Sequence, residues 1–102
     1  MEIFKFNSKK IANLFTAVLS LKDLKDVEAF FRDLCTIDEL KAMTERWEIA
    51  QLVDRGLSYR EVADKLRVST TTVSRVAFWL NHGEGGYRAV LDKLKNKNVS
   101  GS

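Results

Sequence analysis

The chain has no proline, one cysteine, one histidine and five glycines in 102 residues. Without proline, and with glycine concentrated near positions 83–86, little in the chain enforces sharp turns, which favours an all-helical fold. The lone Cys35 excludes an intrachain disulfide framework. Its apolar neighbours mark it as a small buried hydrophobe in a reducing compartment. No stretch approaches the roughly 18 continuous apolar residues of a membrane span. Met1-Glu2-Ile3-Phe4-Lys5 lacks the apolar centre of an export signal, so a cytoplasmic location and no membrane partner are expected.

Reactive chemistry is equally sparse. One His and one Cys, with no metal-ligand pair at helical spacing, leave no convergent site, and neither a metal nor an enzymatic activity is expected. His82 falls in a hinge-like stretch. Glu45 and Glu48 share a helix face but lie in an acidic, solvated region. Gly83-Glu84-Gly85-Gly86 follows no strand and cannot be a phosphate-cradling loop.

The net charge of +3 is small, but it is unevenly spread. Residues 23–54 carry nine acids and four bases, whereas residues 55–102 carry nine bases and four acids. A basic second half suits a phosphate-bearing partner.

That half holds the most specific pattern, Ser58 to Leu80. Ser58 with Glu61 is a capping box that starts a helix. Val62, Ala63 and Leu66 form its apolar stripe. Arg67-Val68-Ser69 interrupts, Ser69 is a second N-cap, and Val73 and Val76 resume the stripe. Two short helices around a tight turn constitute a helix-turn-helix. Its inward set is Val62, Ala63, Leu66, Val68, Val73 and Val76. The turn holds Arg67 where many such units hold glycine, so a positive φ there carries a modest steric cost. Outward lie Ser69, Thr70, Thr71, Thr72, Ser74 and Arg75, with Arg60, Lys65 and Arg67 beside them. Hydroxyls near a helix N-terminus suit phosphate contact, threonine methyls suit thymine, and Arg75 suits guanine or phosphate. These nine residues are the candidate DNA-binding set.

Around this unit the periodicity predicts four more helices. Residues 1–7 read as a loose lead. Asn7 or Ser8 caps a helix carrying Ile11, Leu14, Phe15, Val18 and Leu19. A second carries Val27, Phe30, Phe31 and Leu34. Thr36 with Glu39 caps the longest helix, the spine, whose stripe is Leu40, Met43, Trp47, Ala50 and Val53, widened by Ile37, Ile49 and Leu52. Gly56 ends it. The reading helix extends through Phe78, Trp79 and Leu80. The last helix carries Tyr87, Val90, Leu91 and Leu94, and Lys95 to Ser102 reads as a frayed polar tail. So many large apolar residues on so short a chain point to a homodimer sharing its core.

From Leu34 to Lys95 the chain resembles the tryptophan repressor family, most closely its YerC/YecD group. The resemblance is carried by Leu34-Cys35-Thr36-Ile37-Asp38-Glu39, Glu45-Arg46-Trp47-Glu48-Ile49, Asp54-Arg55-Gly56-Leu57-Ser58-Tyr59-Arg60-Glu61 and Ser69-Thr70-Thr71-Thr72-Val73-Ser74-Arg75. It implies six helices in an intertwined homodimer: a single domain over 1–102 with dimerisation helices at 8–35 and 87–97, a spine at 36–55 and a reading head at 58–80. It further implies a repressor bound to a near-palindromic operator in double-stranded DNA. In that family a corepressor lies between spine and reading helix, and Thr36, Arg46 and Arg75 match its contacts. Two positions depart: Val76 stands where the family has glycine, and Trp79 where it has serine. Overpacking a fitted pocket costs about 1–3 kcal/mol, so L-tryptophan is not expected as corepressor, no cofactor is expected, and any other small-molecule effector is open. Trp79 is instead expected either to fill the ligand space itself or to be a core aromatic. The rival function is a protein-interaction module, or a replication or recombination accessory, built on the same scaffold.

Overall fold

The computed structural model describes residues 8–101, with side chains described through residue 97. The loose lead at residues 1–7, the Asn7 cap and Ser102 fall outside the described residues. Six helices and no strand occur among the described residues: α1 (Ser8–Leu19), α2 (Leu24–Leu34), α3 (Ile37–Asp54), α4 (Tyr59–Leu66), α5 (Thr70–His82) and α6 (Gly86–Gly101). They fall into two compact units, residues 1–40 and 41–102.

In the first unit the helix starts follow from local hydrogen bonds. Asp23 caps α2, its carboxylate accepting from the Asp26 amide at 2.9 Å. Thr36 and Glu39 form the expected capping box: the Glu39 amide donates to Thr36 Oγ1 at 3.1 Å and the Thr36 amide to Glu39 Oε1 at 2.8 Å. Neither α1 nor α2 contains a buried residue, although both carry the expected apolar stripes. Leu19 is 84% and Leu24 71% exposed. Phe30 and Phe31 meet edge to face.

The second unit has a closed core of Ile49, Ala50 and Leu52 from α3, Val62 and Ala63 from α4, and Val73 and Val76 from α5. Trp47, Val53, Leu57, Leu66, Val68 and Tyr87 pack around it. Of the inward set read for the reading head, Val62, Ala63, Val73 and Val76 belong to this core, and Leu66 and Val68 pack against it, partly buried. The spine differs from expectation. Of its stripe only Ala50 is buried, while Ile49 and Leu52, read as flanking residues, are the enclosed ones and Met43 is exposed. The core gathers around the C-terminal half of α3, so burial there follows the packing of α4 and α5 rather than one stripe along the helix. Gly56, at φ +97°, closes α3. The Leu57 amide reaches back to the Leu52 carbonyl at 3.3 Å, a left-handed stop that glycine makes without Cβ strain.

The expected polar tail is also corrected, because α6 continues to Gly101. Lys95, placed in that tail by composition, is anchored by Asp54 at 2.7 Å and continues the helix rather than fraying from it. No described helix is long and apolar enough to cross a membrane.

Candidate nucleic-acid interface

The reading head is built by three consecutive local devices. Ser58 starts α4: its Oγ accepts from the Glu61 amide at 3.1 Å and its own amide donates to Glu61 Oε1 at 2.8 Å. The Ser58 amide, and then its hydroxyl, hold the Glu61 carboxyl below its ordinary pKa. Arg67 then takes the left-handed conformation, φ 57° and ψ 47°, the only non-glycine positive φ among the described residues. In that pose its amide and that of Val68 turn back onto the Ala63 carbonyl. Ser69 starts α5, accepting from the Thr72 amide at 3.1 Å, with its hydroxyl 2.9 Å from that of Thr72.

The result is a helix with one face sealed and the other open. Val73, Val76, Ala77 and Leu80 turn inward and are buried. Ser69, Thr70, Thr71, Ser74 and Arg75 are exposed, and Thr72 is half-buried. Ser74 donates to the Thr71 carbonyl at 3.0 Å, so its oxygen faces outward as an acceptor. Ser69 and Thr72 are mutually engaged at the cap, whereas no hydrogen bond holds the Thr70 or Thr71 side chains among the described residues. Arg60, Lys65, Arg67 and Arg75 are all exposed. None of the four takes part in an ion pair among the described residues. Ser69, Thr70 and Thr71 thus stand exposed at a helix N-terminus, where the backbone amides and the helix dipole favour negative charge, with Arg67 in the turn just before them and Lys65 lining the α3–α4 side of the head.

Beyond Arg75 the exposed stripe continues as Phe78, Trp79 and His82. Phe78 and Trp79 are packed edge to face at 5.5 Å, and Phe78 lies 5.1 Å from the His82 ring. Trp79 is 52% exposed. It is therefore not a core aromatic of this chain, which corrects one of the two expectations for it. Its carbonyl and ring edge lie so close to Gly83 that a Cβ there would meet the oxygen at 2.4 Å.

Of the other residues matched to a ligand pocket, Val76 is 5% exposed and belongs to the core, because its direction on α5 is shared with Val73. Arg46 is exposed on α3, and its charge opposes the upward push that burial gives the Tyr87 hydroxyl. Thr36 belongs to the first unit, where its hydroxyl serves the α3 cap. A concavity of ≈ 250 Å³ opens between α3 and α4, lined by Glu48, Gln51, Leu52, Arg55, Lys65 and Leu66. A second of ≈ 150 Å³ opens between α3 and α6, lined by Trp47, Gln51, Asp54, Arg55, Leu91, Leu94 and Lys95. Neither includes Thr36, Arg46, Arg75, Val76 or Trp79.

One cluster had no signature in the sequence. Asp54, at the end of α3, accepts from Arg88 at 2.7 Å through one oxygen and from Lys95 at 2.7 Å through the other. Hydrogen bonds from Lys95 and then Arg88 hold its carboxyl below the ordinary range, against the opposing effect of burial. Nearby, the Trp47 and Tyr87 rings stack at 6.4 Å. Residues 34 positions apart carry no periodic signal, so only the folded chain brings Asp54 to Arg88.

The chain is similar to known proteins in sequence and fold. The family model described as Trp repressor protein matches residues 9–95. The chain is 38% identical to the uncharacterised protein YerC of Bacillus subtilis (strain 168) over 102 residues, all of this chain and 98% of the relative. A TrpR-like protein from Eubacterium eligens ATCC 27750 superposes with a TM-score of 0.83 at 40% identity, covering 89% of this chain and 94% of that one. A putative Trp repressor from Staphylococcus aureus superposes with a TM-score of 0.85 at 32% identity, covering 93% and 95%.

Proposed function

Since the chain belongs to the Trp repressor family, whose members are helix-turn-helix DNA-binding regulators and not enzymes, we propose that it is a transcriptional repressor. On this reading it binds a near-palindromic operator in double-stranded DNA as a homodimer, without tryptophan. The observation that carries the reading is the open face of α5: exposed Thr70, Thr71, Ser74 and Arg75 over a sealed core, with exposed Arg60, Lys65 and Arg67, unpaired among the described residues, on the preceding helix and turn. In the proposal the hydroxyls and the flanking cations meet phosphates and fix the register, while Thr71 and Arg75 read base edges in the major groove.

The dimer is supported by α1 and α2. Two amphipathic helices with no buried residue leave much of their apolar stripes exposed, and a second copy of the chain would cover them. Residues 8–35 and 87–97 would supply that interface, with 36–55 as spine and 58–80 as head. A two-fold dimer would place two reading heads about one helical turn apart on DNA. Independence from tryptophan is supported by Val76, which occupies the core where the family has glycine, and by the bulk of Trp79 where it has serine.

The test is selection of genomic fragments by the purified protein at two salt concentrations, with and without L-tryptophan, alongside sedimentation of the free protein. Enrichment of a near-palindromic site in both conditions by a dimer is expected. Enrichment only with tryptophan would refute the ligand independence, and a monomer in solution would refute the shared core. Loss of expression control in the deletion strain, read as increased transcription beside the site, tests the sign. The exposed Phe78–Trp79 pair favours a second reading, a protein-interaction module. An apolar interface of that kind would persist as salt rises, whereas phosphate contacts weaken steeply.

A further inference from the structure

We propose that Asp54 is a positioning residue for DNA reading: it clamps α6 onto the C-terminal end of α3 and so fixes the direction in which α5 leaves the core. The inference rests on the DNA-binding reading of α5 and adds a residue that touches no DNA.

Asp54 is the last residue of α3, and its side chain is 7% exposed. A carboxylate there sits at the negative end of the helix dipole, where it is unfavourable for α3 taken alone. Near-burial adds a desolvation penalty unless the charge is paired. Both disadvantages are met only by α6. Arg88 holds one carboxylate oxygen and Lys95 the other, each at 2.7 Å. Arg88 and Lys95 are two helical turns apart, so a single carboxylate pins α6 at two points separated by about 10 Å along its axis. Two pins fix both the axial position and the rotation of α6. Arg88 is held further by Asp92 at 3.4 Å, Leu91 is buried between the pins, and the Trp47–Tyr87 stack adds a third point of attachment.

The need for a clamp lies in the joint. α5 meets α6 through Gly83-Glu84-Gly85-Gly86. Gly83 is required by the closeness of the Trp79 carbonyl, and Gly85 takes φ +83°. A glycine-rich joint sets no angle by itself. The angle of the reading helix is therefore held by its buried inner face, Val73, Val76, Ala77 and Leu80, and by the packing of its far half against α6, which is as fixed as its attachment to α3. Arg88 and Lys95 are 43% and 57% exposed, so each pair is partly screened by solvent and adds only modestly to stability; the clamp acts chiefly by placing α6.

The experiment uses the full chain with Asp54→Asn, Asp54→Glu and, as the contact control, Arg75→Ala. Affinity is measured on the selected operator and on random duplex across a salt series, together with thermal melting. Asp54→Asn is expected to melt cooperatively and to bind random duplex with wild-type affinity and salt slope. It is expected to lose about tenfold on the operator, and Asp54→Glu, which keeps the charge, should recover part of that loss. Unchanged operator affinity in Asp54→Asn overturns the proposal, as does an equal loss on operator and random duplex. If Asp54→Asn fails to fold, Arg88→Gln removes one pin while leaving Lys95 on the carboxylate, and is read by the same criteria. If the wild-type protein selects no operator, the DNA reading itself falls. Amide exchange then separates the two ideas: faster exchange along α5 and α6 in Asp54→Asn upholds the clamp, and unchanged exchange overturns it.

Discussion

Replacing Arg67 with glycine should stabilise the chain while weakening its hold on DNA. Arg67 stands at φ 57° and ψ 47°, where its Cβ crowds the following carbonyl. For a residue other than glycine that conformation costs about 1–2 kcal/mol. Glycine removes the crowding but loses more backbone freedom on folding, a cost of about 0.5–1 kcal/mol. The side chain is exposed and makes no ion pair among the described residues, so little packing is lost. Taken at the midpoints the net gain is about 0.75 kcal/mol, which for a domain of this size raises Tm by about 3–6 °C. The assay is thermal melting by far-UV circular dichroism, with wild type and variant at equal concentration because the proposed dimer would make Tm concentration-dependent. The same variant removes one cation beside α5. If Arg67 meets a phosphate, the slope of log affinity against log salt should fall in magnitude by about 1 for each head. A lower Tm would refute the strain reasoning, and an unchanged salt slope would remove Arg67 from the phosphate-facing set.

Arg75→Ala should weaken operator binding by about 1–3 kcal/mol and relax the preference at one base pair if Arg75 reaches a base, measured by fluorescence anisotropy on operator variants. Equal loss on every sequence would make it a phosphate contact instead. Val73 is fully buried, so Val73→Asp should unfold the reading head by placing an unpaired charge in the core; a native circular dichroism spectrum with operator binding would contradict that core. Asp54 predicts an acid dependence. Its folded pKa is lowered, so its contribution to stability is complete above the ordinary aspartate value of about 3.9 and is lost as pH falls through the lower folded value. Chemical denaturation of wild type and Asp54→Asn should therefore differ at neutral pH and converge below the folded value. A constant difference down to the most acid pH would contradict it.

The reading head was largely legible in the sequence because its determinants are local. The Ser58–Glu61 box, the Ser69 cap and the Thr36–Glu39 box each join residues three apart, and such pairs meet in any helix start. The turn at Arg67 was legible for the same reason, since the interrupted stripe fixes where one helix must stop. The candidate ligand pocket was less so. Val76 could be assigned both to the inward stripe and to a pocket wall, and only the packing of α5 against α4 shows that it is sealed in the core.

Helix content, element order and the inward stripe of α4 and α5 were thus determined by the sequence alone, because hydrogen bonds and side-chain periodicity within four residues specify them. The tertiary structure decided which arc of α3 is enclosed, how far α6 extends, and that Asp54 meets Arg88 and Lys95. Those outcomes depend on how separate helices cross, and a crossing is set by the joint fit of many side chains rather than by the spacing of any one segment.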